Sequence, residues 1–195
     1  MSGRPLDQRS GLVIDAHELG RRAGESKQVR RVADAPDGIG IAVIGVPPGS
    51  PVDLDLRLES VVEGVLVTGT ATVRLRGSCA RCLDDVSYDD EIDIQELFCY
   101  PDKEADDPEA SRIEGDYLDL EPVLRDAVVL DLPFTPLCRP DCAGLCPDCG
   151  ANLNRDPEHS HEAAVDPRWA GLAAFGGQVV PDNQEPGQTR PTIKE

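Results

Sequence analysis

Three features of this 195-residue sequence predict an α+β fold: an antiparallel β-sheet meander covered by one packed helix and extended by a cysteine-rich zinc knuckle. Three runs between Val52 and Phe98 alternate apolar and polar residues, the period of half-buried strands. One stretch, near Glu121–Asp131, spaces its apolar residues as a helix does. Directly after it, Cys138, Cys142, Cys146 and Cys149 fall within thirteen residues.

Composition sets the limits. The chain is 39% hydrophobic and only 4% aromatic, enough for one ordinary domain with tails. Its formal net charge is −18. Such a field repels phosphate, which excludes a grip on nucleic acid by the whole surface and favours a basic protein partner. The start, MSGRPLDQRSG, holds no apolar run of a signal peptide, and no stretch approaches the length of a membrane span. The expected compartment is therefore cytoplasmic, where thiols stay reduced and disulfides are not expected.

In chain order, residues 1–10 read as a disordered N-terminus and residues 11–154 as the folded domain. Leu12-Val13-Ile14 is a short strand, and Asp15 is placed to cap a helical turn over Ala16–Arg22. Arg21, Arg22, Lys27, Arg30 and Arg31 form the most basic stretch, either an RNA-contact patch or a solvated surface. Ile39–Val46 reads as a strand ended by Pro47-Pro48-Gly49. Gly38 and Gly40 do not make a dinucleotide fingerprint, because the third glycine and the following helix are missing.

The meander comes next. Leu54, Leu56 and Leu58 alternate with Asp53, Asp55 and Arg57. Val65, Val67, Ala71, Val73 and Leu75 alternate with Thr68, Thr70, Thr72, Arg74 and Arg76, and threonine and valine suit a pleated surface. Val86, Tyr88, Ile92, Ile94 and Phe98 mark the third strand. Between the second and third strands Cys79-Ala80-Arg81-Cys82 occupies a hairpin tip. Cys99 reads as packing. Asp102–Asp116 is acidic and poor in apolar residues, so a mobile loop is expected. Pro122 fits a first helical turn. Val123, Leu124, Ala127, Val128 and Leu130 follow at helical spacing, and Pro133 and Pro136 end the helix. Residues 155–195 read as a mostly disordered tail with a possible short helix at 166–175, whose apolar face is Trp169, Leu172 and Phe175.

Six cysteines carry the chemistry. Thiolates are soft ligands, and zinc takes four of them in a tetrahedron at roughly 2.3 Å. Two C-x-x-C pairs, Cys79/Cys82 and Cys146/Cys149, make a strong metal signal where one would be weak. Three ligand sets stay open. Cys138, Cys142, Cys146 and Cys149 close a site alone, or Cys79 and Cys82 join either Cys138 and Cys142 or Cys146 and Cys149. The set in which the sheet-borne pair joins the C-terminal cluster is favoured. A second metal would draw on histidines such as His159 and His161. A closed site is structural and holds loops rigid, so that Arg81 and Arg139, together with Arg74 and Arg76 on the strand, become candidates for contact with RNA or a protein partner. No enzyme is expected. A nucleophilic cysteine needs a base, and His17, His159 and His161 all lie in the flanks. The competing reading is a thiol oxidoreductase or redox sensor using a C-x-x-C pair. It wants a helix N-terminus at the thiol, and no helical pattern follows Cys82.

Several of these residues together resemble one family. Cys79-Ala-Arg-Cys82, Tyr117-Leu-Asp-Leu120 with its helix, Leu132-Pro133, Cys138 through Cys142-Ala-Gly-Leu-Cys146-Pro-Asp-Cys149-Gly150-Ala-Asn152-Leu153-Asn154, and Asp166-Pro-Arg168-Trp169 are similar to the YceD family of large ribosomal RNA subunit accumulation proteins. The resemblance spans residues 11–175. It implies a non-enzymatic cytosolic factor for synthesis, processing or stability of large-subunit ribosomal RNA. It also implies a link to large-subunit ribosomal RNA itself or to a basic, zinc-ribbon ribosomal protein, and no small-molecule substrate.

Overall fold

The computed structural model describes residues 6–103 and 110–161. The expected helix at 166–175 and most of the tail lie outside them. The chain divides into two units, Met1–Glu158 and His159–Glu195. All the secondary structure below belongs to the first.

The expected meander forms β5 (Pro51–Ser60), β6 (Gly64–Ser78) and β7 (Asp85–Cys99), all antiparallel. The inward row of each follows from its alternation. Val52, Leu54, Leu56 and Leu58 on β5 are at most 4% exposed, as are Val65, Val67, Ala71, Val73 and Leu75 on β6. Ile92, Ile94 and Phe98 continue the buried row on β7. Short β3 (Gly40–Ile41) and β4 (Ile44–Gly45) form a hairpin that pairs with the end of β6. The sequence predicts a single strand over Ile39–Val46. The chain turns at Ala42-Val43 instead, and Ile39, Ile44 and Val46 still reach the core.

A strand not predicted from the sequence completes the sheet. Ser26–Asp34 forms β2, paired with β5 over its whole length. Lys27, Val29, Arg31 and Ala33 make its less exposed row, and the two cations hide the period. Arg31 is accommodated because its Nη1 donates to the carbonyls of Gly11 (2.8 Å) and Val13 (3.0 Å). A second, two-stranded sheet joins β1 (Val13–Asp15) to β8 (Tyr117–Asp119). The helical turn expected at Ala16–Arg22 shortens to a single 3-10 turn at His17–Leu19. Asp15 Oδ1 accepts from the His17 N–H at 2.8 Å.

The helix α1 (Glu121–Asp131) ends where the sequence places it. Leu120, Leu124, Val128 and Leu132, each four residues apart, are all at most 4% exposed and make one stripe against the sheet core. Arg125 ties the helix to the loop before β3, donating to the carbonyls of Gly38 (2.6 Å) and Asp37 (3.0 Å). Leu130, expected on the apolar face, points away and is 86% exposed. A mobile loop is expected over Asp102–Asp116; its residues 104–109 lie outside the described residues, and from Ser111 the chain is bonded to the end of β7. Cys99 donates to Ser111 and accepts from Ile113, which is buried. Beyond that contact, and among the described residues, the outer edge of β7 pairs with no strand. It carries six acidic residues and no basic one.

Gly69 sits at the centre of the sheet, between Leu56 and Ile94, with φ +146°. A Cβ there would lie 2.1 Å from the Asp55 carbonyl oxygen. Gly69→Ala is expected to lower unfolding stability by about 2 kcal/mol, from overlap and backbone strain together. Thr70→Ala, on the outer row, should shift it by well under half of that in the same denaturant titration.

Candidate metal centre

The β6–β7 hairpin tip is built by its own backbone. Cys79 N–H donates to the Asp84 carbonyl (2.8 Å), and Leu83 N–H donates to the Cys79 carbonyl (2.9 Å). Leu83 takes a left-handed φ of +61°, the one such non-glycine residue in the described chain. This turn aims both sulfurs to one side. After α1, Pro133 and Pro136 prevent the helix from continuing, and the chain returns to the tip. Ala80 N–H donates to the Pro136 carbonyl (2.7 Å) and Leu145 N–H to the Arg81 carbonyl (3.1 Å). Cys138 and Cys142 are thereby brought over Cys79 and Cys82.

The sulfurs meet. Cys79 Sγ is 3.8 Å from Cys142 Sγ, and Cys82 Sγ is 3.6 Å from Cys138 Sγ. All four lie within 4.8 Å of one another, and Cys138 alone is exposed. Thiolates bonded at roughly 2.3 Å to a tetrahedral ion stand ~3.8 Å apart, so these four could hold one soft metal ion after small adjustments. Val86, Leu137 and Leu145 supply an apolar shell. Of the three ligand sets left open by spacing, the geometry gathers the one that joins the sheet pair to Cys138 and Cys142.

Polar groups around the sulfurs are committed to holding them. Asn154 Nδ2 donates to Cys142 Sγ (3.3 Å), and Asn154 Oδ1 accepts from Ala143 N–H (2.9 Å) and Arg139 Nη2 (2.6 Å). Arg81 Nη1 donates to the Cys142 carbonyl (3.0 Å). Asp84 accepts from Asn152 (3.1 Å) and Arg155 (2.9 Å). Arg81 and Arg139, singled out as contact residues, are both exposed while making these bonds, and Arg139 also pairs with Asp141 (3.4 Å). Arg74 pairs with Asp89 on β7. Arg76 is exposed. Asn152 and Asn154 were missed by the ligand-based reading, although the run Cys149-Gly-Ala-Asn-Leu-Asn154 contains them.

Ionisation differs around the cluster. Burial pushes the Cys79 thiol up, but the backbone N–H groups of Cys138, Cys82 and Arg81 outweigh it and bring the thiol down to about 6. At Cys82 the Asp84 N–H favours the thiolate, yet burial and the neighbouring sulfurs of Cys79, Cys138 and Cys142 push it up to about 12. Cys142 is lowered: burial opposes this, and the Asn154 amide and Gly144 N–H prevail. Burial raises Cys138. Four thiolates this close cannot coexist without a cation among them.

Cys146 and Cys149 stand apart from this set. They occupy the tip of a small hairpin closed by the Leu145–Asn152 bridge, and their sulfurs lie within 4.8 Å of each other. Gly150 N–H donates to the Cys146 carbonyl (2.8 Å), with Gly150 at φ +74°. Cys79–Leu83 has the same turn, bond for bond. In the second unit, His159 and His161 bring their Nε2 atoms to 2.9 Å.

Two outcomes follow from this geometry. Leu83→Gly should stabilise the protein by about 0.5–1 kcal/mol, because the left-handed strain outweighs glycine's added freedom when unfolded, and little packing is lost at a residue 66% exposed. Thermal unfolding reads this. In metal-free protein, thiolate absorbance should rise with a first midpoint at about 6. A lowered acid is ionised above its midpoint, so that step should vanish in Cys79→Ser, while Cys82 stays protonated to strongly alkaline pH.

Comparison with known proteins fits these residues. The profile described as large ribosomal RNA subunit accumulation protein YceD matches residues 67–176. An uncharacterized protein of Mycobacterium tuberculosis is 45% identical over 172 residues, covering 86% of this chain and 83% of that protein. The uncharacterized protein YlbN of Bacillus subtilis is 28% identical over 125 residues, 63% of this chain and 73% of its own. The large ribosomal RNA subunit accumulation protein YCED homolog 1, chloroplastic, of Zea mays is 26% identical over 121 residues, 51% of this chain and 41% of its own. No solved structure matches the chain. The family match covers more than half of the sequence and contains both halves of the four-sulfur cluster, and the chain belongs to the YceD family.

Proposed function

We propose that this protein is a non-enzymatic factor supporting the synthesis, processing or stability of large-subunit ribosomal RNA, with zinc as the structural ion of Cys79, Cys82, Cys138 and Cys142. The family's description and the plant relative's name supply the biology. The observation that carries the physical reading is the four-sulfur cluster that joins the hairpin tip to the segment after the helix. Four thiolates fill a tetrahedron and leave no position for water or substrate, so the ion fastens rather than reacts. Zinc suits an all-thiolate tetrahedron, and it brings no redox chemistry.

The partner we favour is a basic ribosomal protein. The net charge of −18 opposes bulk RNA binding. The basic stretch proposed as an RNA patch is largely paired within the fold. Arg21 meets Asp102, Lys27 meets Glu18 and Arg30 meets Asp55. Arg31 is committed to backbone carbonyls. The acidic β7 edge and the outer sheet row offer the complementary field. A cytoplasmic setting accords with reduced thiols. Among the described residues no helix is long and apolar enough to cross a membrane.

The oxidoreductase alternative has one observation in its favour, the lowered Cys79 thiol. Cys79 is nevertheless 0% exposed and lies in a strand hairpin, where an attacking thiolate needs access. Thiol titration separates the readings. Metal-protected cysteines should react only after chelation, whereas a redox pair should react at once and cycle with a dithiol.

Depletion of the protein is expected to lower mature large-subunit RNA relative to small-subunit RNA. Complementation with Cys79→Ser/Cys82→Ser should fail to restore the ratio and should carry less zinc. An unchanged ratio with normal ribosome profiles would refute the assembly role. A fully active double variant that keeps its metal would refute the structural one.

A further inference from the structure

The hairpin that follows the four-sulfur centre repeats the geometry of one of that centre's two arms. In both Cys79–Leu83 and Cys146–Gly150, two residues separate the cysteines. In both, the fifth residue donates its N–H to the carbonyl of the first cysteine, at 2.9 and 2.8 Å, from a left-handed backbone. In the first turn this conformation is held by a leucine against steric cost; in the second a glycine adopts it without penalty. Asp148 and Pro147 fill the positions of Arg81 and Ala80, so the second turn lacks the arginine that donates into the first site. Cys146 N–H donates to the Ala151 carbonyl (2.8 Å) and Leu153 N–H to the Gly144 carbonyl (2.9 Å), which fixes the hairpin's stem.

We infer that the Cys146–Cys149 turn is a second metal-binding element, which takes a soft divalent cation of the zinc class separately from the four-sulfur centre. Its sulfurs lie within 4.8 Å of each other, a separation that two ligands of one ion reach with a small closure. Binding releases the two thiol protons to solvent and leaves two thiolate–metal bonds. The ion needs two further donors. Imidazole nitrogen or water is the donor class that completes a tetrahedron around two thiolates.

Metal stoichiometry on the full chain tests this. The protein is stripped with a chelator under reducing conditions and titrated with zinc, then in parallel with cobalt(II). Two equivalents per chain are expected. Cys146→Ser/Cys149→Ser should bind one, with unchanged far-ultraviolet circular dichroism and the intact four-thiolate cobalt spectrum. The equivalent lost in that variant should carry about half the thiolate-to-cobalt charge-transfer intensity of the other, because it has two sulfurs rather than four. A single equivalent in the wild type that persists in the variant overturns the inference, as do two equivalents in the variant. A four-thiolate spectrum for the lost equivalent also overturns it. One equivalent in the wild type and none in the variant would uphold the second element and refute the four-sulfur centre instead, so the two readings fail separately.

Discussion

The structure depends on one long-range closure: two sulfurs from the β6–β7 tip meeting two from the segment after α1. Cys82 and Cys138 are separated by 56 positions in the chain. Joining points so far apart removes loop entropy from the unfolded chain, worth ~4 kcal/mol by the cross-link relation when an ion makes the join permanent. The intervening chain contains β7, β8 and α1, so the closure also fixes the helix across the sheet. Leu120, Leu124, Val128 and Leu132 set the helix's height on the core, and this decides where Cys138 emerges. Without the core the sulfurs have no common point. Without the sulfurs, the returning segment keeps only a few backbone bonds, the polar contacts of Arg81, Asn152 and Arg155, and the small apolar patch of Leu137 and Leu145.

The meander and the helix were legible because burial there is regular. Each of β5, β6 and β7 hides alternate residues from water, and alternation survives in the sequence as written. β2 was not legible, because its inward row contains Lys27 and Arg31, whose charge masks the period. Only the carbonyls of Gly11 and Val13, far away in the sequence, explain why Arg31 is tolerated there. The β3–β4 hairpin was read as one strand because both of its arms are apolar, and its turn, Ala42-Val43, carries no glycine or proline signal. Spacing alone also left the partner of the sheet-borne cysteines open. It takes the length of α1 and the two prolines after it to deliver Cys138 and Cys142, rather than Cys146 and Cys149, to the tip.

Several exposed arginines of this protein are tied to its own chain around the four sulfurs. Arg81, Arg139 and Arg155 surround a group of sulfurs that become anionic on metal binding, and each is anchored by a carbonyl, an amide or Asp84. Replacing a guanidinium by an ammonium there would keep the charge and lose the paired geometry. What remains facing outward is predominantly carboxylate, and the outer threonines of β6 lie between two acidic rows, Asp53 and Asp55 on one side, Glu91 and Asp93 on the other.

The edge of β7, which pairs with no strand among the described residues, has a consequence for the protein's behaviour in crowded solution. An open strand of this length, regular and free of proline, is a template on which a second molecule could extend the sheet. Its six carboxylates stand guard against that. In an antiparallel edge-to-edge pairing of two copies, acidic side chains would be pressed against acidic side chains, and of the six only Asp89 has a cation partner among the described residues, Arg74. The guard is electrostatic, so its reach shrinks to ~8 Å at physiological ionic strength and further as salt rises. The same strand thus offers both the template for self-association and the charge that opposes it.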